Sequence, residues 1–220
     1  MAQETEIKLK INSAADLRRR LKRLCAKIIV PRTLEVNVLF DTAESDLKTR
    51  EELLRIRTET LTGAPNRGKA RSGRVLLTFK RPIERARAGD ERHKTREEIE
   101  LEASDGIALA KLFEGLGLRE WFRYEKFRTT YCLPGDARWA KGLLIELDET
   151  PIGVFAELEG PAAAIDRAAE ALGFTSRDYI VANYMELYRE YCRERGTDTA
   201  RMVFAKNPAP RPAKNSKKIS

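Results

Sequence analysis

The chain has 220 residues, of which 42% are hydrophobic and 35% are charged, and its formal net charge is +8 at pH 7. No apolar run approaches the roughly 18 residues that a membrane-spanning helix requires, and no signal peptide precedes the first predicted strand. The three cysteines are far apart and fit no metal or redox spacing, which is typical of reduced thiols. We therefore expect a cytoplasmic protein without a membrane partner.

The excess of positive charge lies at the carboxyl end of the chain. Residues 201–220 contain no acid and six cations, namely Arg201, Lys206, Arg211, Lys214, Lys217 and Lys218. Because the rest of the chain is close to neutral, no specific nucleic-acid partner is expected. The composition predicts one domain over residues 1–197 and a basic, proline-containing, disordered tail over residues 198–220.

The first predicted element is a strand over residues 4–11, where polar and mostly apolar side chains alternate strictly. Glu4, Glu6 and Lys8 share one face of this strand. Two carboxylates at this spacing lie about 7 Å apart along a strand, close enough to serve one hard cation, and the lysine could hold an anion beside it. For one strand taken alone, a solvated polar face is the simpler interpretation.

Similar alternation predicts further strands along the chain. They cover residues 28–30, 35–41, 53–59, 75–80, 96–102, 121–133, 142–149 and 154–159. Pro31 is expected to interrupt the first of these. Two loops, at residues 60–73 and 83–94, separate strands, and His93 in the second loop is expected to be exposed to solvent.

Helical spacing of apolar residues, with capping residues at the ends, predicts four helices. They cover residues 14–26, 105–116, 161–172 and 178–195. In the last of them, Tyr184 belongs to an apolar stripe.

At least six of the predicted strands carry charged residues at positions i and i+2, while the opposite face is largely apolar. This repetition predicts an α+β fold in which the apolar faces pack outwards against helices and the charged faces point into a common interior. A closed antiparallel barrel of about eight strands has this arrangement and also removes the sheet edges. Its interior must be polar and wet, because burying many unpaired charges would cost several kcal/mol each. Such a lining indicates that a ligand binds there.

The signs of the charges indicate which ligand. Hard oxygen ligands suited to Mg²⁺ or Mn²⁺ are offered by Glu4, Glu6, Asp148, Glu157 and Glu159. Donors suited to phosphate oxygens are offered by Lys8, Arg55, Arg57, Lys80, Lys126 and Arg128. A metal-bound polyphosphate needs both sets around one cavity. The sequence has no phosphate-binding glycine loop and a single histidine, so chemistry must depend on carboxylates, cations and metal.

The ordered set of strand motifs resembles the CYTH superfamily, the triphosphate tunnel metalloenzymes. Glu4-Thr5-Glu6-Ile7-Lys8 matches the Glu-x-Glu-x-Lys opening of that family. The later matches are Arg55-x-Arg57, Lys80, Arg96-x-Glu98-x-Glu100, Lys126-x-Arg128, Leu147-Asp148-Glu149 and Glu157-Leu158-Glu159. The Gly153-Val154-Phe155 segment and the Asn183-Tyr184-x-Glu186-Leu187 ending resemble the branch that contains class IV adenylyl cyclases and thiamine triphosphatases.

The resemblance implies an eight-stranded antiparallel tunnel that binds triphosphate groups with a divalent metal. It implies that the five acids above are metal ligands and that the six cations above bind phosphate. Catalytic roles are expected for Glu6, Lys8, Glu98 and Lys126, while Glu98 and Glu100 could each orient cations or assist water or metal. On the last helix, Arg189 and Arg193 are candidates for closing over the substrate, without a motif to fix either.

We expect hydrolysis of a triphosphate by metal-activated water, with inorganic triphosphate, thiamine triphosphate or a nucleoside triphosphate as substrate. One alternative uses the 3′-hydroxyl of ATP as nucleophile and produces cyclic AMP and pyrophosphate, as in a class IV adenylyl cyclase. Another is a binding module that holds polyphosphate without turnover. A monomer or a homodimer is compatible with each of these.

Overall fold

The computed structural model describes residues 2–62, 73–83, 92–197 and 201–205. The strands in these ranges are β1 (Ala2–Ile11), β2 (Lys27–Asp41), β3 (Leu53–Leu61), β4 (Arg74–Pro82), β5 (Lys94–Ala103), β6 (Arg119–Cys132), β7 (Leu144–Thr150), β8 (Gly153–Glu159) and β9 (Arg201–Met202). The α-helices are α1 (Ala14–Arg23), α2 (Asp46–Thr49), α3 (Gly106–Gly115), α4 (Ala162–Ala171) and α5 (Tyr184–Arg195).

Strands β1 to β8 form a closed antiparallel barrel. Their spatial order is β2-β3-β4-β5-β1-β8-β7-β6, and the pairing of β2 with β6 closes the ring. Closure satisfies the backbone groups that an open sheet leaves unpaired at its edges. The predicted α+β fold, an eight-stranded barrel flanked by helices, is confirmed. In the ranges that the structure describes, no helix is long and apolar enough to cross a membrane.

Strand β1 shows why both faces of the barrel wall are buried. Ile7 and Leu9 point outwards and are completely buried with Leu17 of α1 and Ile165 of α4. The alternate side chains Glu4, Glu6 and Lys8 are also buried, but they line the interior of the barrel. The outer helices therefore cover the apolar face, and the charged face is left for the cavity.

The last helix begins later than predicted. Residues 176–178 form a short 3₁₀ turn, and Ile180 then pairs with Lys8 in an isolated β-bridge. Helix α5 begins only at Tyr184, because Asn183 and Glu186 form a reciprocal capping box with bonds of 2.9 and 2.8 Å. The predicted start at residue 178 is therefore wrong, and an extended segment brings the chain to the barrel.

Strand β2 runs without a break through Pro31, contrary to the predicted interruption. Its register against β6 shifts between Ile28 and Val30 and again between Val30 and Thr33. Pairing with β3 starts only at Thr33, so the missing N–H of Pro31 is not needed on that side. Helix α1 also ends at Arg23, three residues before its predicted end.

His93 is buried, so the predicted exposure to solvent is wrong. Its Nε2 lies 2.9 Å from Oδ1 of Asp166 on α4, and the hydroxyl of Tyr179 donates to the same oxygen at 2.9 Å. This cluster ties the start of β5 to α4 and to the segment that precedes α5. Most of the two predicted loops, residues 63–72 and 84–91, lies outside the described residues.

The segment after residue 200 touches the barrel where the structure describes it. Strand β9 pairs with β6 in parallel, and Met202 is 0% exposed in a cluster with Tyr124, Tyr184 and Met185. The ring of Phe204 lies 5.0 Å from that of Phe127. Met202 and Phe204 of the predicted tail thus pack against the domain, while residues 206–220 lie outside the described part of the chain.

Candidate active site in the barrel interior

A cavity of about 620 Å³ fills the barrel interior, and its lining is dominated by charge. Seven acids line it: Glu4, Glu6, Glu98, Glu100, Glu146, Glu157 and Glu159. Seven cations line it as well: Lys8, Arg55, Arg57, Lys80, Arg96, Lys126 and Arg128. Of the strand residues predicted from the sequence to bind metal or phosphate or to act in catalysis, all except Asp148 are therefore brought together around one cavity.

Strand register explains this convergence, because residues directly opposite each other in adjacent strands share a face. Lys8 of β1 lies opposite Glu157 of β8, and Glu6 lies opposite Glu159. On the other side of β1, Lys80 of β4 lies opposite Glu98 of β5. Acids and cations are therefore interspersed on the inner wall, and most of them form ion pairs.

One group of ion pairs joins β1, β4 and β5. The Nζ atom of Lys80 lies 2.6 and 2.5 Å from the two carboxylate oxygens of Glu4 and 3.3 Å from Oε1 of Glu98. Arg96 Nη2 lies 3.4 Å from Oε1 of Glu6. Burial alone would raise the pKa of Glu4, but the attraction of Lys80 and Arg96 outweighs burial and lowers it.

A second group centres on Asp148 of β7. Arg128 donates from Nε to Oδ1 at 2.8 Å and from Nη2 to Oδ2 at 2.7 Å, and Lys126 Nζ donates to Oδ2 at 2.9 Å. The hydroxyl of Tyr184 donates to Oδ2 as well, at 2.6 Å. Asp148 is completely buried and is absent from the cavity lining.

Glu157 of β8 is linked to this second group. Its Oε2 accepts from Arg128 Nη2 at 2.9 Å and lies 3.9 Å from Lys8 Nζ and 4.0 Å from Lys126 Nζ. Burial would raise the pKa of Glu157, but these three cations together hold it well below its usual value.

A third group involves Glu35 of β2, which the sequence analysis did not assign to the site. Its Oε2 lies 3.4 Å from Arg57 Nε and 3.6 Å from Lys126 Nζ. Burial opposes ionisation, but the attraction of Arg57, Lys126 and Arg128 lowers the pKa of Glu35 to about 2. The alternation of Glu35 and Asn37 along β2 was the sequence signal that could have identified this inward face.

The residues with charged or phenolic side chains that line the cavity without having been predicted as site residues are Arg96, Tyr124, Glu146 and Tyr184. Arg96 and Glu146 belong to the alternating strand pattern, so the signal for both was present. Tyr184 packs in an apolar cluster with Leu187 and Tyr188, as its predicted stripe implies, and in addition projects its hydroxyl into the charged interior. Neither arginine predicted to close over the substrate lines the cavity: Arg189 lines a neighbouring one, and Arg193 is exposed and pairs with Glu190 at 3.6 Å.

The acids of the lining fit a hard divalent cation. Glu146 lies opposite Glu157, and Glu6 lies opposite Glu159, arrangements that are unfavourable when both members are ionised. Burial, reinforced by Glu4 and Glu157, raises the pKa of Glu159 to about 7. Burial also raises the pKa of Glu146 to about 8, despite the attraction of Arg128. A divalent metal bound among these oxygens would relieve that repulsion.

The acids are not preassembled around a metal position. Within the described ranges, no three Asp, Glu, His or Cys side chains converge closely enough to hold an ion. The reason lies in the ion pairs above, since each lysine or arginine draws its acid towards itself. Metal binding would therefore require the cations to exchange these acids for another anion.

A second cavity of about 370 Å³ adjoins the first. The two share Arg96, Tyr124, Asn183 and Tyr184 among their lining residues. The second cavity is more apolar, with walls that include Leu39, Phe40, Trp121 and Met185, and Lys48 and Arg189 also line it. It offers aromatic surface next to the charged interior.

With this fold and lining, the chain belongs to the CYTH domain family, whose family model matches residues 2–177. The family predicted from the strand motifs is thereby confirmed. A relative from Methanocaldococcus jannaschii, provisionally named adenylate cyclase MJ0240, is 28% identical over an alignment of 195 positions that covers 84% of this chain and 97% of the relative.

Solved structures show the same architecture. The PH1819 protein from Pyrococcus horikoshii superposes with a TM-score of 0.64 at 26% identity, covering 86% of this chain and 99% of that one. A protein from Hippeastrum, provisionally named an adenylyl cyclase and described as having a dominant triphosphatase activity, superposes with a TM-score of 0.54. It is 20% identical, over 89% of this chain and 97% of its own, which shows a common fold.

Proposed function

We propose that the protein is a divalent-metal-dependent enzyme that hydrolyses a phosphoanhydride bond of a triphosphate substrate. Inorganic triphosphate, thiamine triphosphate and nucleoside triphosphates are the candidate substrates. The observation that carries this proposal is the presence of seven acids together with seven cations around one cavity. A module that binds only an anion gains nothing from so many acids, whereas a metal-bound anion uses both sets.

The cations would bind and neutralise the phosphate oxygens. Lys8, Arg55, Arg57, Lys80, Lys126 and Arg128 all line the cavity, and they come from four different strands, so they can surround a linear polyphosphate. Because these donors are fixed by the barrel before the substrate arrives, they need little reorganisation as charge develops in the transition state. Such preorganised donors are usually the largest contribution to phosphoryl-transfer catalysis.

The acids Glu4, Glu6, Glu157 and Glu159 would hold Mg²⁺ or Mn²⁺. A bound metal supplies Lewis-acid polarisation of phosphate oxygens and lowers the pKa of a water molecule. Lys8 Nζ lies 3.3 Å from Glu6 Oε1, so it can place a phosphate oxygen next to the acids. Glu98, 3.3 Å from Lys80 Nζ, would orient Lys80 or accept a proton from the attacking water.

The test is to incubate the purified protein with tripolyphosphate, thiamine triphosphate and ATP, each with Mg²⁺ or Mn²⁺, and to resolve phosphate, pyrophosphate and cyclic AMP. Metal-dependent release of phosphate is expected from at least one substrate. Lys126→Met, which removes a cation of the lining while nearly preserving side-chain length, should lose most of this release. Absence of any product would favour a binding module over an enzyme.

A second candidate function is formation of cyclic AMP and pyrophosphate from ATP. It is favoured by the adjoining cavity, whose Trp121 and Phe40 provide aromatic surface for a nucleobase beside the phosphate-binding interior. The name of the Methanocaldococcus relative points in the same direction. Cyclic AMP with stoichiometric pyrophosphate in the assay above would replace hydrolysis as the assigned reaction.

A further inference from the structure

Strand β7 contributes two acids, Glu146 and Asp148, that alternate along one face and yet have different surroundings. Glu146 lines the cavity and retains 6% exposure. Asp148 has 0% exposure and does not line the cavity. Sequence spacing treats the two as equivalent, whereas the structure distinguishes them.

Asp148 is held by the protein through both carboxylate oxygens, with three hydrogen bonds to Oδ2 and one to Oδ1. A carboxylate offers about four lone-pair sites. Four hydrogen bonds reach Asp148 at 2.6–2.9 Å, two from Arg128, one from Lys126 and one from the hydroxyl of Tyr184. Because Asp148 has no exposed surface and does not line the cavity, a metal ion in the cavity could reach it only by rearranging these buried, charge-assisted hydrogen bonds, which are stronger than neutral ones.

These bonds fix two cations that line the cavity and connect them to α5. Lys126 and Arg128 take their directions from Asp148. The ring of Tyr184, the first residue of α5, lies 5.0 Å from Lys126 Nζ and 5.5 Å from Lys8 Nζ. The hydroxyl of the same tyrosine donates to Asp148. The position of α5 is thus coupled to the position of both cations.

Glu146, unlike Asp148, faces the cavity beside other acids. It lies opposite Glu157 in the β7–β8 register, and both line the cavity with Glu159. Its protein contacts are an ion pair with Arg128 Nη1 and a bond of 3.4 Å from Thr130 Oγ1. If Arg128 turns to phosphate, Glu146 becomes available to a metal ion.

We propose that Asp148, with Tyr184, is a positioning residue for Lys126 and Arg128, and that Glu146 is the acid of β7 that serves the metal. This inference depends on the proposed function insofar as metal and phosphate occupy the cavity together. It assigns the two neighbouring acids to different ligands, so the two roles are separable by direct binding measurements that do not require turnover.

The test compares Asp148→Asn with Glu146→Gln, two substitutions that remove one charge each from the same strand. Calorimetry measures the affinity of the full chain for Mn²⁺ alone, and separately for tripolyphosphate in the presence of EDTA. Glu146→Gln is expected to weaken Mn²⁺ binding by about tenfold or more and to leave tripolyphosphate binding unchanged or tighter. Asp148→Asn is expected to leave Mn²⁺ binding within about threefold and to weaken tripolyphosphate binding by roughly tenfold.

This crossed pattern excludes a merely structural role, because loss of structure would weaken both ligands together. If Asp148→Asn does not fold, Tyr184→Phe removes a single donor and should weaken tripolyphosphate binding by about threefold without changing Mn²⁺ affinity. The proposal is overturned if Asp148→Asn, or Tyr184→Phe in its place, weakens Mn²⁺ binding as much as Glu146→Gln does. It is also overturned if tripolyphosphate binding is unchanged in the variant that folds, or if the wild-type protein binds neither ligand. Wild-type binding without turnover would overturn only the proposed enzymatic function.

Discussion

The outer and inner faces of the barrel are formed by alternate residues of the same strands, and the two faces have different roles. On β1, Ile7 and Leu9 are completely buried against α1 and α4, while the alternate residues Glu6 and Lys8 line the charged cavity. The outer face stabilises the folded state by removing apolar surface from water. The inner face holds buried ion pairs, which contribute little net stability. Stability and function are therefore expected to separate by face, and substitutions can test that separation.

The largest expected effect is on the inner face. Glu6→Ala should reduce metal-dependent turnover by about a thousandfold or more, because it removes an acid from the proposed metal-binding set. Its unfolding transition should stay close to that of the wild type, since Lys8 and Arg96 retain other acidic neighbours. Steady-state kinetics and thermal unfolding measure the two effects.

Glu97→Ala is the matched control for this variant, because Glu97 is an acid of β5 that does not line the cavity and pairs with Arg81 outside it. It should retain nearly full turnover. Turnover of Glu6→Ala within a few-fold of wild type would mean that the site is assigned to the wrong residues.

The outer face should behave in the opposite way. Leu158→Ala on β8 removes a completely buried side chain from the core beneath α1 and α4 and should lower the free energy of unfolding by about 2–5 kcal/mol. Turnover per folded molecule should not change at temperatures where the variant is folded. Chemical unfolding and active-site-normalised kinetics test this, with the exposed Val181→Ala as control. A specific loss of turnover would show that the two faces are not separable.

The free energy of unfolding should depend on pH because of a buried acid on the inner face, Glu146. In the protein without metal, burial raises the pKa of Glu146 from 4.5 to about 8. The folded state therefore holds a proton that the unfolded chain releases, and the free energy of unfolding should fall as pH rises from about 4.5 to 8. Glu146→Gln should remove about 1–3 kcal/mol of this decrease, measured by urea unfolding in EDTA.

Glu35→Gln is the control for that measurement. The pKa of Glu35 is lowered to about 2, so its contribution to stability is lost only as pH falls below about 4.5. The slope between pH 5 and 8 should therefore be the same in Glu35→Gln as in the wild type. Equal slopes in Glu146→Gln and the wild type would contradict the raised pKa of Glu146.

The smallest effect is expected outside both faces. Removal of residues 205–220 should change turnover by less than about twofold, because β9 and Phe204 remain in place. Removal of residues 201–220 also deletes the buried Met202 and should lower the unfolding temperature measurably. A large loss of turnover from the shorter deletion would indicate that the tail reaches the cavity.

The barrel and most of its lining were predictable from the sequence, because strand alternation is a local property that repeats along the chain. Glu4, Glu6 and Lys8 alternate with apolar residues just as Lys126 and Arg128 do, and the structure places all five around one interior. Glu35 carried the same signal without being assigned. The capping box of Asn183 and Glu186 was also visible, and it marks the true start of α5.

The different surroundings of Glu146 and Asp148 were not predictable in this way. The two acids lie two residues apart on the same face of β7. They differ because Asp148 accepts a hydrogen bond from the hydroxyl of Tyr184, which lies 36 residues further along the chain. The position of that hydroxyl depends on the β-bridge between Ile180 and Lys8 and on the residue at which α5 begins. Such a contact follows from the assembled tertiary structure and not from any local pattern.

The mutual pairing of acids and cations in the cavity has a consequence for the order and strength of binding. Metal that takes the acids frees the lysines and arginines for phosphate, and phosphate that takes the cations frees the acids for metal. The two ligands should therefore bind with positive heterotropic cooperativity. By thermodynamic reciprocity, Mn²⁺ should tighten tripolyphosphate binding by the same factor by which tripolyphosphate tightens Mn²⁺ binding. If the proposed function holds, the cavity should select the complex of metal and triphosphate over either component alone.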